Sequence, residues 1–351
     1  VSLRERLGWN PFFAAHAAAL AGGDYAFARI VEEQRGLSRV SGDVDGWMEV
    51  SGKFRYEAAD AAAFPAIGDW VAVRDTVIHH VLERRSVVSR AAAGRTTAEQ
   101  VVAANVDTIF VVTAVPHDVN ARRLERYLAM VWDGGAVPVV VINKSDLSGD
   151  AAAASRAIAA RLPLVDVIAV SALHERGLDA LAPYLQPART VALVGSSGVG
   201  KSTLVNRLVG GDLVRVAPVS ADHGKGRHTT TARRLVTLPG GALLIDTPGM
   251  RELQPWLDGD GLDAAFDEIA ALAHGCRFAD CLHETEPGCA VVAAVADGRL
   301  DADRLENYRR LARDAAYEDR KRDKAAAAEH KRKWKQLHQA AKALYRDRDR
   351  R

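Results

Sequence analysis

The sequence predicts a multidomain α/β protein in three parts, on three observations: short strands punctuated by Gly over Leu37 to Arg90, alternating buried strands and amphipathic helices from Val106 to Asp246, and helical sequence beyond that with every cysteine of the chain in one window. At 351 residues the chain exceeds the usual size of one core, so each part must bury an apolar centre of its own. Apolar content of 48% with 26% charged residues is that of a globular protein and argues against wholesale disorder and membrane residence. No stretch approaches the roughly 20 apolar residues that span a bilayer. The run Phe12 to Leu20 resembles the apolar part of a secretion signal, but Glu5 and His16 interrupt it, and a short amphipathic helix is the preferred reading.

Residues 1–34 read as an N-terminal helical extension. Residues 35–100 follow as short strands, among them Trp47 to Val50, Asp69 to Val73 and Val77 to Leu82, a pattern that predicts a small β-barrel. Within it Lys53-Phe54-Arg55-Tyr56 interleaves cations with aromatics, which suits stacking on bases and meeting phosphates; half-buried strand residues would give the same letters. Residues 101–255 carry strands at Asp107 to Val112, Val137 to Ile142, Val165 to Val170 and Val191 to Val194, with a helix over Asn120 to Trp132. Buried strands alternating with helices predict a parallel sheet covered on both faces. Residues 256–351 read as helices ending in an Ala/Lys/Arg-rich helix with Trp334, Leu337, Ala341, Leu344 and Tyr345 on one stripe. Net charge is +2 overall, yet Asp301 to Arg351 holds 17 Lys and Arg against 10 Asp and Glu, so positive charge is concentrated at the C-terminus.

Strand Val191 to Val194 runs into Gly195-Ser196-Ser197-Gly198-Val199-Gly200-Lys201-Ser202, and a helix continues from Thr203 to Val209. Sequence and strand-loop-helix setting both match a phosphate-binding loop. Its glycines let backbone amides crowd around phosphate oxygens, Lys201 reaches the β- and γ-phosphates, Ser202 ligates magnesium, and Thr203 joins the contacts in the first helical turn. Leu243-Leu244-Ile245-Asp246-Thr247-Pro248-Gly249 is a strand ending where Asp246 can hold magnesium through water and the Gly249 amide can meet the γ-phosphate. Asn143-Lys144-Ser145-Asp146 closes another strand. Two acceptor oxygens on Asp146 match the N1–H and N2–H₂ donors of guanine, and adenine has no such donor pair, so GTP is expected over ATP. Ser171-Ala172-Leu173, one strand later, resembles a second guanine contact, with the Ala172 amide near the base oxygen.

Order along the chain is the anomaly. The base-reading elements at 143 and 171 precede the phosphate loop at 195, the reverse of ordinary GTPases, so the domain reads as circularly permuted; such cutting is tolerated when the old termini lie close together. Pro218 to Thr231 is the expected first switch segment, with glycines that permit disorder after hydrolysis. Met250 stands where many GTPases carry a water-orienting Gln, so catalysis needs a group from elsewhere. His228 is the nearest candidate, with a surface-loop histidine as the alternative.

Cys276-x4-Cys281-x-His283-x5-Cys289 offers the ligand set of a closed tetrahedral structural zinc site, with His274 as a possible replacement for His283. Three cysteines cannot all pair with one another, so a metal site in a reducing, cytoplasmic compartment is favoured.

Permuted motifs, a preceding barrel and a following Cys/His segment together resemble the RsgA/YjeQ family over nearly the whole chain, as do Trp47 to Arg55, Ala93-Gly94-Arg95 to Asn105-Val106-Asp107, and Gly226 to Thr231. The resemblance implies an OB-fold barrel, a permuted GTPase domain and an α-helical zinc-binding domain, with Thr230 completing magnesium coordination. It further implies GTP/GDP, Mg2+ and one structural Zn2+ as cofactors. A monomer is implied that binds the 30S ribosomal subunit and its 16S rRNA late in subunit maturation, with GTP hydrolysis stimulated by the subunit and neither membrane nor DNA as partner. Competing readings are a metabolic kinase, which would have no use for Asn143 and Asp146, and an RNA-binding scaffold whose nucleotide is structural.

Overall fold

Two short helices open the chain, α1 (Leu3–Arg6) and α2 (Pro11–Ala18). Each starts at a side-chain cap: Ser2 exchanges hydrogen bonds with Glu5, and Asn10 accepts the Phe12 N–H ahead of Pro11, satisfying amides that no preceding turn can reach. The protein is described by a computed structural model over residues 1–20, 22–34, 36–91, 99–116, 118–147, 149, 151–162, 164–211, 233–246 and 260–317.

Five strands follow: β1 (Ala26–Gln34), β2 (Leu37–Gly42), β3 (Gly46–Val50), β4 (Trp70–Arg74) and β5 (Val77–Val81). β1 pairs with both β2 and β4, β2 with β3, β3 with β5 in parallel, and β5 with β4, so the five close into a barrel. The N-terminal helices pack onto it through Phe13 and Trp9, the latter edge-on to the buried Trp70 at 4.7 Å between centroids. One sequence expectation is overturned here, and one alternative is removed. The helical extension expected over residues 1–34 ends early, because Ala26–Gln34 is a barrel strand and the strand region begins before residue 35. The strand's two faces were hidden by charge, because Arg29 and Glu32 are both buried. Lys53-Phe54-Arg55-Tyr56 lies on a helix, α3 (Gly52–Glu57), so the alternative of half-buried strand residues does not hold. Ser51 Oγ accepts the Phe54 N–H at 3.0 Å and turns the chain, and Lys53 then faces Glu57 one turn on.

A hairpin of β6 (Val87–Ala91) and β7 (Glu99–Ala104) leads into β8 (Thr108–Ala114), α4 (Ala121–Asp133), β9 (Val137–Asn143), α5 (Ala151–Arg161), β10 (Asp166–Ala169), β11 (Thr190–Val194), α6 (Lys201–Val209), β12 (Arg233–Thr237) and β13 (Leu243–Asp246). In space the strands run β10-β9-β8-β11-β13-β12. All are parallel to their neighbours except β12, which is antiparallel to β13. Successive residues of β8 serve opposite faces: Phe110 and Val112 meet the cluster holding Leu204 and Val205 of α6, and Ile109 and Val111 meet the one holding Leu124 and Leu128 of α4. Both sheet faces are therefore covered.

This sheet does not stop at β12. Glu32 pairs with Arg234 and Glu33 with Arg233 in an antiparallel register, so barrel and parallel sheet form one surface of eleven strands. Arg29 pins the junction. Its guanidinium, 1% exposed, donates to Leu7 O at 2.7 Å, Gly68 O at 2.9 Å, Thr190 Oγ1 at 2.9 Å and Asn105 O at 3.0 Å. Burial pulls its pKa down to about 10, which still leaves it charged at neutral pH.

The C-terminal unit comprises α7 (Asp260–Ala265), α8 (Asp267–Ala273), α9 (Ala290–Ala296) and a helix over 302–317, here α10. It meets the parallel-sheet unit through side chains. Fully buried Glu125 of α4 accepts from Arg161 at 2.6 Å, from Arg304 of α10 at 2.9 Å, and from Asn307. Arg304 also binds Glu268 and the Ala265 carbonyl. Among the described residues, no helix is long and apolar enough to cross a membrane.

Candidate nucleotide-binding site and metal centre

Asn143 ends β9, Ser171 follows β10, the phosphate loop follows β11, and Asp246 ends β13. Because these strands are parallel neighbours, all four elements emerge at the carboxyl edge of the sheet, where open α/β sheets bind ligands. Chain order is immaterial to this convergence.

Contacts between the elements are direct. Asn143, 2% exposed, donates Nδ2 to Val199 O at 2.9 Å and accepts the Ala172 N–H at 3.0 Å. Lys144, with φ at +59° just beyond the strand, donates Nζ to Gly198 O at 2.7 Å. Ser171 Oγ donates to Asp146 Oδ1, and the opposite oxygen faces His174 Nε2 at 3.6 Å. That hydroxyl bond holds the Asp146 carboxyl below its usual range, so both oxygens remain acceptors at neutral pH. The Ala172 amide, expected near a base oxygen, is engaged by Asn143.

The loop requires its glycines where the backbone crowds. A Cβ on Gly195, at φ +141°, would lie 2.1 Å from Val112 O, and one on Gly200, at φ +91°, would lie 2.4 Å from Asn143 Nδ2. α6 begins at Lys201, two residues earlier than the sequence pattern placed it, with Ser202 and Thr203 in its first turn. Lys201 is 8% exposed and donates Nζ to the carbonyls of Gly195, at 2.7 Å, and Ser196, which keeps the ammonium over the loop. First-turn amides, a buried cation and a carboxylate on the adjacent strand are the groups that a polyphosphate cradle needs. His228, Thr230, Gly249 and Met250 lie outside the described residues, as do Ala93 to Arg95 and the stripe from Trp334 to Tyr345.

The second cluster fits a tetrahedral ion. Ligand atoms of Cys276, Cys281, His283 and Cys289 all lie within 4.8 Å of one another. Sγ of Cys276 is 3.9 Å from that of Cys289, and His283 Nδ1 is 3.6 Å and 3.5 Å from these two sulfurs. Tetrahedral zinc with bonds of about 2.3 Å to sulfur and about 2.0–2.1 Å to nitrogen separates its ligands by about 3.8 Å and about 3.6 Å. The grouping contains His283 and not His274. Burial lowers the His283 pKa, favouring the neutral imidazole that binds metals. α10 braces this histidine from behind, with Arg309 donating to the His283 carbonyl and the Tyr308 ring 6.2 Å away.

Sequence reasoning missed the contact of His174 with Asp146 and that of Arg207 of α6 with the Ala172 carbonyl. A lone Arg near a helix end carries no pattern that would have flagged it.

A family model described as RsgA GTPase matches residues 81–256. A protein named small ribosomal subunit biogenesis GTPase RsgA, from Opitutus terrae, is 45% identical over 355 residues and 96% of each chain. One named small ribosomal subunit biogenesis GTPase RsgA 2, from Lactiplantibacillus plantarum, is 50% identical over 77% of each. Among solved structures, YjeQ from Thermotoga maritima matches with a TM-score of 0.63 at 26% identity, covering 83% of this chain and 99% of that one. YloQ, described as a circularly permuted GTPase, matches at 0.58 and 24% identity over 83% and 95%, a likeness of fold alone.

Proposed function

Because the chain belongs to the RsgA GTPase family, we propose that it hydrolyses GTP as a factor in biogenesis of the small ribosomal subunit, binding the 30S subunit through 16S rRNA and released after hydrolysis. The observation that carries the reading is the bonding of the base-reading loop to the phosphate loop, Asn143 to Val199 and Lys144 to Gly198. Specificity and phosphate binding are thereby held in one rigid frame.

In this reading Asp146 accepts from the guanine N1–H and N2–H₂, with Asn143, Lys144, Ser171 and Ala172 framing the base. Amides of Gly195 to Thr203 surround the phosphates, and Lys201 leaves the loop carbonyls to neutralise charge on the γ-phosphate as it departs. Ser202 and Thr230 would hold a magnesium ion, with Asp246 behind its water shell, adding positive charge at the β- and γ-phosphates. Gly249 supplies an amide to the γ-phosphate. Met250 cannot orient water, so His228 takes that part, and turnover without the subunit is slow. Zinc held by Cys276, Cys281, His283 and Cys289 has no open position and serves structure. The barrel is an OB-fold that meets rRNA together with the basic C-terminal segment, and the protein acts as a cytoplasmic monomer.

Measuring GTP turnover by the purified chain with and without small subunits tests this. At least about tenfold stimulation is expected, modest beside the ~10³–10⁵ a supplied stabilising group can contribute, and Lys201→Ala should abolish turnover. Absence of stimulation would remove the ribosomal assignment. A preference for adenine nucleotides would remove the guanine one.

A further inference from the structure

The helix that begins in the phosphate loop meets the second base-reading element, residues 171–176, near its own C-terminal end. Arg207 of α6 donates Nε to the Ala172 carbonyl at 3.2 Å, and its Nη1 lies 2.9 Å from Glu175 Oε1. The Ala172 N–H is already given to Asn143 Oδ1. Residue 172 is thus gripped at both its amide and its carbonyl, from β9 on one side and α6 on the other. Its neighbour Ser171 is the residue that bonds Asp146, and the Ser171–Arg176 bridge closes the loop. A planar guanidinium suits this task, since it meets a carbonyl and a carboxylate in one fixed geometry. Side-chain exposures of 42% for Arg207 and 62% for Glu175 mean that the pair adds little to fold stability.

We infer that Arg207 is a positioning residue for guanine recognition, holding loop 171–176 so that Ser171 keeps Asp146 aimed at the base. The inference rests on the proposed guanine-binding reading. Asp146 alone distinguishes guanine from hypoxanthine, because only guanine carries the N2 amino group. Disturbing the aim of Asp146 therefore weakens GDP more than inosine diphosphate, whereas merely loosening α6 weakens both equally and also weakens pyrophosphate.

The test is calorimetric titration of the full chain with GDP, inosine diphosphate and pyrophosphate. Wild type should prefer GDP over inosine diphosphate, and a failure there contradicts the guanine reading before any variant is measured. Arg207→Ala should raise the GDP Kd by about three- to tenfold, the worth of one hydrogen bond. It should narrow the GDP-to-inosine diphosphate ratio and leave pyrophosphate binding unchanged. Arg207→Lys retains charge beside Glu175 without the planar fork and should narrow the ratio too, which covers the case of an unstable alanine variant. A ratio unchanged in the folded variants overturns the inference, even if all three ligands bind more weakly.

Discussion

The parallel-sheet unit is joined to its two neighbours by different physics. Toward the barrel, the join includes a backbone ladder: β12 and β1 pair at Glu32, Glu33, Arg233 and Arg234, whose side chains also pair across it, and three of the four acceptors around Arg29 are main-chain carbonyls. Toward the Cys/His unit, the join rests on side chains, with Glu125 receiving Arg161, Arg304 and Asn307. Arg122 and Arg161 add contacts to Asp303 of α10. Even a ladder of two residue pairs fixes direction and register. A buried charge network depends on a few groups staying in place together, and on the unit that presents them being folded. The barrel should therefore behave as an extension of the sheet, and the C-terminal unit as a body whose docking follows the folding of its own Cys/His cluster.

The largest effect expected is local to the metal. Cys289→Ala removes one of the four ligands of an ion whose binding, in structural zinc sites, contributes about 10–16 kcal/mol to folding, so it should weaken zinc retention by several orders of magnitude. Amide exchange across 276–296 should then rise toward unfolded rates while β1 and β12 stay protected; equal loss in both regions would erase the contrast between the joins. Next comes Arg29→Met, which leaves four buried acceptors without their donor and should lower unfolding free energy by about 3–5 kcal/mol in denaturant titration. A smaller loss, about 1–2 kcal/mol, is expected for Glu125→Gln, because the amide keeps the shape and one acceptor but removes the charge facing Arg304 and Arg161. Its exchange signature should appear in α10 and leave β1 unchanged.

The nucleotide edge was legible in the sequence because its chemistry is written in contiguous residues: a loop that must present amides needs Gly at Gly195 and Gly200, and a guanine reader needs a carboxylate at a strand end. The cysteine cluster was legible for the same reason, although only three-dimensional grouping selected His283 over His274. What sequence concealed is non-local. Two residue pairs between β1 and β12 make one sheet of two expected domains, and no local pattern records them. Ala26 to Gln34 lost its strand alternation because Arg29 is buried by carbonyls from distant segments, and a charge in that position looks solvent-facing. Lys53 to Tyr56 has letters that half-buried strand residues would also give, and the Ser51 cap places them on a helix.

Base selection at Asp146 is the central claim, and one exchange of ligand tests it. Asp146→Asn replaces an acceptor with an amide donor. That donor opposes the guanine N2–H₂ and matches the carbonyl of xanthine at the same position. Binding of GDP and xanthosine diphosphate to both proteins is the measurement. The expected result is a reversal of preference, with GDP weakened by at least about a hundredfold, on the scale of a charge-assisted pair lost and a donor clash gained, and xanthosine diphosphate strengthened. GDP binding by Asp146→Asn at wild-type affinity would mean that guanine is not read there.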